Sequence, residues 1–170
     1  EELAGQRTLR GGHPGENPPL RWEGYAALQD RFARARSFQA SATRALRREA
    51  QAAHQEREWL RGMQKPRVDE NVCLAHEGRT GRTFVDQLVV DEATLGPGRP
   101  PVVHSFSNKQ HDFSTSALKD AVNQFNRDIQ EARVKYAGSV EIRRPGHPLF
   151  GRRVVVSRVH LVYDGKGLLP

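Results

Sequence analysis

Two charged residues stand in segments that are otherwise built from apolar, strand-forming residues. Asp86 lies inside the run from Phe84 to Val90, and Lys109 ends the next such run, which begins at Val102. A carboxylate among buried strands is costly unless a cation or a basic group compensates its charge. On adjacent strands, such a carboxylate can hold a Mg²⁺ ion that activates water, while the lysine stabilises a phosphodiester under attack. The same spacing also fits an ordinary cross-strand ion pair, so both interpretations stay open.

The common catalytic motifs are missing from the sequence. It contains no GxxxxGK[ST] phosphate loop, no GxGxxG after a strand, no HExxH and no GxSxG. The single cysteine, Cys73, excludes an intramolecular disulfide framework and a multi-cysteine zinc site, and its pairing with His76 is weak support for a thiol nucleophile. Among seven histidines, only His104 and His111 are even loosely spaced as metal ligands. Zinc and thiol chemistry are therefore not expected.

The charge balance points to an anionic partner. The 170 residues include 27 basic and 20 acidic side chains, which gives a formal net charge of +7. Such a balance favours nucleic acid as the first candidate partner. No apolar run approaches the ~18 residues that a membrane span needs. We predict sequence-independent phosphate contacts from five arginines: Arg82, Arg143, Arg144, Arg152 and Arg153.

Composition divides the chain into three parts. Residues 1–22 are dense in glycine and proline and predict a flexible arm or linker. Residues 23–66, rich in alanine and arginine, predict a helical extension that ends before Pro66. Residues 67–170 alternate strand and helix patterns, which predicts an α/β domain. The chain begins with Glu1 rather than Met, so we expect a piece of a longer protein.

Within the α/β domain, β-forming runs predict strands at Thr83–Asp91, Val102–Lys109, Val140–Arg143 and Arg153–Tyr163, with a weaker candidate at Val68–Ala75. The first two of these form a predicted hairpin. The cleanest periodicity predicts a helix that begins after caps at 114–116, ends at Gly138 and buries one apolar stripe: Leu118, Val122, Phe125, Ile129, Ala132 and Tyr136. We expect that stripe to pack on Phe84, Leu88 and Val103.

This arrangement resembles the restriction-endonuclease-like PD-(D/E)xK nuclease core, from about Arg67 to Asp164. Asp86 opens one strand, the next strand ends in Ser107-Asn-Lys109, and a helix bearing Gln124 follows. The resemblance implies a mixed sheet flanked by helices. It also implies Asp86 as a metal ligand, Lys109 as the catalytic lysine, Gln124 as a polar helix residue at the site, and Mg²⁺ or Mn²⁺ as cofactor.

The sequence departs from that family at Ser107, which occupies the position of the family's second acidic residue. A hydroxyl is a poorer Mg²⁺ ligand than a carboxylate. Another acid must therefore move into the role, and Asp91 is our first choice. The remaining candidates are Glu92, Asp112, Glu56 and Glu58.

A glycine- and proline-rich arm and a helix before a compact C-terminal domain also resemble the toxin tips of bacterial polymorphic toxins, including Rhs-type effectors. That resemblance implies a DNA substrate, with RNA second. It further implies an acidic immunity protein, a longer effector polyprotein, and delivery as a secreted effector into the cytoplasm of a target cell. The alternative is a non-enzymatic nucleic-acid-binding or assembly module. A third is a toxin of another chemistry, such as a deaminase or an ADP-ribosyltransferase, but one cysteine makes a zinc deaminase a poor fit.

Overall fold

A computed structural model describes residues 25–52, 58–60, 62–76 and 81–165. The predicted arm at 1–22 therefore lies outside the described residues. The chain forms two compact units, Glu1–Ser37 and Phe38–Pro170, and the second holds the whole sheet. Neither helix in the described ranges has an apolar stretch long enough to cross a membrane.

A six-stranded mixed sheet and two helices make up the described secondary structure, apart from a short 3₁₀ turn at Glu92–Thr94. The predicted α/β class is thereby confirmed. The helices are α1 (Tyr25–Gln51) and α2 (Leu118–Tyr136). The strands are β1 (Pro66–His76), β2 (Thr83–Asp91), β3 (Val103–Lys109), β4 (Gly138–Ile142), β5 (Arg153–Val156) and β6 (Arg158–Tyr163).

The strands pair as an antiparallel meander, one parallel pair and one added hairpin. β1, β2 and β3 form an antiparallel meander, as the predicted hairpin required. The chain then crosses over through α2 and eventually returns as β6, which pairs parallel to β3. In between, the β4–β5 hairpin adds to the free edge of β1. The strand order is therefore β5-β4-β1-β2-β3-β6.

The predicted single strand from Arg153 to Tyr163 is broken at Ser157. The backbone N–H of Ser157 donates to the carbonyl of Val103 at 2.9 Å, and its hydroxyl donates to the same oxygen at 2.8 Å. β5 and β6 stand at opposite ends of the strand order, yet this one residue joins them. Consecutive Cα atoms are only about 3.8 Å apart, so the two edges must meet. The two edge strands therefore meet at Ser157, and the recorded pairings of the described strands include none between β5 and β6.

Two apolar clusters form the core, and alternate residues of the strands supply them. The larger cluster includes Leu88, Val90 and Val103, together with Ala132 and Tyr136 of α2. The smaller cluster takes the intervening strand residues and packs them against the end of α1: Leu46, Leu60, Met63, Val89 and Phe106. This period of two is what a sheet with both faces covered requires.

The structure buries only the C-terminal part of the stripe that the apolar periodicity predicted. Leu118, Val122 and Ile129 are 77%, 47% and 41% exposed, and Phe84 of β2 is also exposed. Ala132 and Tyr136 are buried in the larger cluster with Leu88 and Val103, as expected. The helix also buries Asp128, which was not part of the predicted stripe. The predicted caps at 114–116 are also wrong, because the helix begins after Ala117 without a side-chain cap.

Candidate functional site

Asp86 lies where the pairing of β2 with β3 stops. The recorded register ends at Gln87 opposite Phe106, and one position further the Asp86 Oδ2 atom accepts a hydrogen bond from the Asn108 N–H at 2.7 Å. Burial raises the pKa of Asp86, while the Asn108 N–H and the charge of Lys109 oppose that shift. No described residue donates a hydrogen bond to the other oxygen, Oδ1. The carboxylate is therefore only partly compensated.

Lys109 ends β3 with its ammonium group between two carboxylates of α2. Its Nζ atom lies 2.9 Å from Oε2 of Glu131 and 3.8 Å from Oδ1 of Asp128, and its side chain is 14% exposed. Glu131 also accepts a hydrogen bond from Lys135, and these two lysines lower the pKa of Glu131 to about 2. Glu131 is thus ionised at any ordinary pH and holds Lys109 in place.

The Tyr136 hydroxyl lies within electrostatic reach of the predicted residues. Burial raises the pKa of its hydroxyl, the charge of Asp86 raises it further, and Lys109 and a hydrogen bond with Ser107 oppose the change. An acid from β2 and two residues from β3 therefore all act on one hydroxyl. We call this group the Tyr136 cluster: Asp86, Ser107, Lys109, Glu131 and Tyr136.

A second network is built around Asp128, which is almost fully buried. Its carboxylate accepts hydrogen bonds from Gln124 at 3.0 Å and from the Tyr163 hydroxyl at 2.9 Å, and its Oδ2 lies 3.0 Å from Nε2 of His111. Burial and the bond to Asp128 raise the pKa of Tyr163, which keeps its hydroxyl a donor. The predicted site residue Gln124 thus orders Asp128, and its described contacts do not include Asp86.

Sequence reasoning placed Tyr136 in the buried stripe but did not single out Glu131 or Asp128. The signal that could have found Asp128 is a step of four along α2, since Asp128, Ala132 and Tyr136 share one face. An acid on the face that also carries a large aromatic residue is the helical counterpart of Asp86 in its apolar strand.

The structure does not bring Asp91 to this cluster. Asp91 ends β2, roughly 17 Å from Asp86 at the usual rise of a strand. Its two oxygens accept hydrogen bonds from the backbone N–H groups of Gln64, Lys65 and Ala93, at 3.1, 2.8 and 3.1 Å. A buried carboxylate with three such donors is a structural cap, and it has little left to offer a metal ion.

The other candidate acids have local partners or lie elsewhere. Glu92 pairs with Lys65 at 2.8 Å and with Arg67 at 3.5 Å. Asp112 accepts hydrogen bonds from the backbone and hydroxyl of Ser114. Glu58 is exposed, and Glu56 lies outside the described residues. Of the acids described here, Glu131 is the one that touches Lys109 at hydrogen-bond distance.

Two of the five predicted phosphate-binding arginines, Arg143 and Arg144, form ion pairs or hydrogen bonds with neighbouring strands. Arg144 reaches back to β1, where it donates to the Glu70 carbonyl and lies 3.8 Å from Asp69. Arg143 is exposed but forms a two-point ion pair with Glu141, at 2.8 Å for each contact. The remaining three are exposed: Arg82, Arg152 and Arg153.

The described residues contain no group of three or more His, Cys, Asp or Glu side chains arranged to hold a metal ion. Mg²⁺ does not require such a group, because it keeps several waters and is usually held by one or two carboxylates together with substrate phosphates. The Asp86 carboxylate, with one oxygen lacking a donor from the described residues, fits that mode of binding.

Comparison of the chain with protein-family models, with curated proteins and with solved structures finds no match. The geometry of the Tyr136 cluster and the charge of the chain are therefore what a functional assignment must be built on.

Proposed function

We propose that this protein is a metal-dependent nuclease that hydrolyses phosphodiester bonds, with DNA as its first substrate and RNA as its second. The observation that carries the proposal is the half-buried Asp86 carboxylate, which accepts the Asn108 N–H at 2.7 Å and lies within electrostatic reach of the oriented Lys109 ammonium group. A partly compensated carboxylate beside a fixed ammonium group is the pair that phosphodiester hydrolysis uses. The net charge of +7 suits a polyanionic substrate.

Asp86 is the first ligand for Mg²⁺ or Mn²⁺ in this proposal. Burial disfavours its charged form, so a cation at Oδ1 would relieve an existing cost. In the nuclease family an acidic residue stands where this chain has Ser107. Glu131 takes over that role in this proposal, because its carboxylate reaches Lys109 from α2. The cation, when bound, would activate a water molecule and neutralise charge that develops on the phosphate.

Lys109 stabilises the attacked phosphate. Its ammonium group is held by Glu131 and Asp128, so it is already oriented before a substrate arrives. A phosphate oxygen that replaces one of these carboxylates would gain a charge-assisted hydrogen bond. Ser107 keeps its hydroxyl on Tyr136 and so positions the end of β3 rather than binding the cation.

The biological setting is part of the same proposal. A nuclease domain with this basic charge suits the toxin part of a longer interbacterial effector that is delivered into the target cytoplasm. Its producer would need an immunity protein, and an acidic one would complement the charge of +7.

A cleavage assay tests the proposal. Supercoiled plasmid and labelled single-stranded RNA are incubated with the full chain in Mg²⁺, in Mn²⁺ and in EDTA. We expect cleavage only with a metal ion, and we expect Asp86→Ala to abolish it. Asp120→Ala is the matched control, because Asp120 is an exposed acid in the first turn of α2. Cleavage that persists in EDTA, or in Asp86→Ala, would refute the assignment.

A non-enzymatic nucleic-acid-binding module is the second candidate, and two observations favour it. The ammonium group of Lys109 already lies between two acids, as in an ordinary buried ion pair. The two edge strands of the sheet also meet at Ser157, as in the partly open five-stranded barrels that bind oligonucleotides. Salt-dependent binding without cleavage in any metal ion would favour this function over the nuclease.

A further inference from the structure

Alternate residues on the outward side of β5 stay open to solvent, whereas on the same side Glu141 of β4 is half-buried and Cys73 of β1 is buried. Val140, Ile142, Val154 and Val156 point into the larger core cluster. The residues between them on β5, Arg153 and Val155, are exposed. Strand side chains alternate between faces, so this side of the hairpin has no described cover.

The register places an aromatic side chain and arginines on that same side. Phe84 of β2 is the partner of Cys73, and the carbonyl of Cys73 accepts the Arg143 N–H at 2.8 Å. Phe84 and Arg143 therefore lie in one row, about 10 Å apart across two strand spacings. In the neighbouring row Glu141 is paired with Arg153.

Arg82 precedes Phe84 by two positions and is exposed. We call the resulting surface the outer face: Arg82, Phe84, Arg143, Arg153 and Val155. It holds three arginines and one partly shielded acid, Glu141, whose charge Arg143 already compensates. Phe84 is 54% exposed, so much of its ring is open to solvent on this face.

We propose that the outer face binds single-stranded nucleic acid, with a base stacked on Phe84 and the backbone phosphates on Arg143 and Arg153. An aromatic platform beside a basic track is the combination that single strands use, because every base has a face that can stack. A duplex keeps its bases stacked on one another and cannot offer one to Phe84. The partner is the polyanion that the proposed function also requires, but this binding does not depend on cleavage.

The test is a binding titration of the full chain in EDTA, so that cleavage cannot contribute. The probes are a labelled twelve-nucleotide DNA strand, the same strand in RNA, and the corresponding DNA duplex. We expect Phe84→Ala to weaken binding of the single strands by about 5- to 100-fold, which corresponds to the usual worth of one stacked base. The salt dependence of that variant should match the wild type, since no charge is lost.

Arg153→Gln should behave in the opposite way. It should lower the slope of log affinity against log salt by about 0.7, the value for one phosphate contact on a single strand. Phe84→Tyr should keep wild-type affinity because a tyrosine ring also stacks. Leu118→Ala, an exposed apolar residue of α2, is the control for a general loss of surface hydrophobicity.

Three results would overturn the inference. The first is an affinity that Phe84→Ala does not change. The second is a duplex that binds as tightly as the single strand. The third is binding that salt does not weaken. A chain that binds with the expected Phe84 dependence but never cleaves would support this inference while refuting the proposed nuclease, so the two failures can be told apart.

Discussion

Two aspartates of β2 differ in how many hydrogen-bond donors compensate their charge. Asp91, at the end of β2, is 1% exposed and accepts hydrogen bonds from three backbone N–H groups. Asp86, near the start of the strand, accepts one backbone N–H, and burial raises its pKa. Backbone N–H groups satisfy both oxygens of Asp91, whereas Oδ1 of Asp86 accepts no hydrogen bond from the described residues.

The difference separates structural acids from candidate catalytic ones better than exposure does. Asp91 is buried and Asp86 is half-buried, and a valine precedes each of them in the same apolar strand. What distinguishes them is the number of donors that compensate the charge, because a carboxylate with several N–H donors is satisfied in its ionised form. Asp86 needs a further cation, and the Lys109 ammonium group supplies only part of that need.

The largest effect is expected for activity at Asp86. Replacing Asp86 with Ala should reduce cleavage by about a thousandfold, because it removes the proposed cation ligand and several kcal/mol of transition-state stabilisation. Asp91→Ala should keep cleavage per folded molecule. Initial rates, corrected for the folded fraction by circular dichroism, measure the contrast. Equal losses in the two variants would erase the distinction between these acids.

For the free energy of unfolding, the larger loss is expected at Asp91 rather than at Asp86. Asp91→Ala leaves three backbone N–H groups without their acceptor and should cost about 2–4 kcal/mol of unfolding free energy. Urea denaturation measures this cost, and Asp91→Asn, which keeps one carbonyl oxygen, should lose less. A variant that unfolds at the wild-type midpoint would show that the cap is not needed.

Asp86→Asn should change the free energy of unfolding by less than Asp91→Ala does, and in the stabilising direction. The folded protein raises the pKa of Asp86, so it binds that proton more tightly than the unfolded chain does. The free energy of unfolding therefore falls as pH rises through the raised pKa. Asn cannot titrate, so Asp86→Asn should be at least as stable as the wild type at pH 7. Unfolding curves at pH 4 and pH 7 measure the difference, and a clear loss of stability at pH 7 would contradict it.

The smallest effect concerns Glu131, whose pKa the fold lowers to about 2 from the usual 4.5. Its stabilisation is present above the unfolded value and is lost as pH falls towards about 2. Because Glu131 is partly exposed, Glu131→Gln should cost less than about 1 kcal/mol at pH 7. The cost should shrink between pH 4.5 and pH 2. A difference that persists at pH 2 would mean that the side chain acts through packing rather than charge.

Much of the fold could be predicted from local patterns. The strand at Thr83–Asp91 has the bounds that its β-forming residues indicated, and β3 begins one residue later than expected. These strands are long runs of valine and other β-formers, so local preference and tertiary context agree. The break at Ser157 could not be predicted, since it depends on a hydrogen bond to Val103, 54 positions away in the chain.

Local sequence patterns also predict only part of the candidate site. Asp86 and Lys109 could be selected because charge interrupts an apolar strand pattern. Asp86 could not be distinguished from Asp91, because the donors that satisfy Asp91 belong to Gln64 and Lys65, which precede β1. The role of α2 was also hidden. Its apolar stripe dominates the periodicity, yet the helix buries the acid Asp128 beside Ala132 and Tyr136.

The single residue between β5 and β6 has a consequence for the order in which the protein folds. Ser157 joins the two edge strands along the chain, and both can take their places only when β4 pairs with β1 and β6 pairs with β3, between residues that are more than 40 positions apart. Such non-local contacts are slow to form, because the entropy of loop closure is lost before they stabilise anything. Tyr163 reaches Asp128 only once β6 is paired. The polar network beside Lys109 therefore forms late, and a chain still lacking β6 would carry Asp86 and Lys109 without their complete framework.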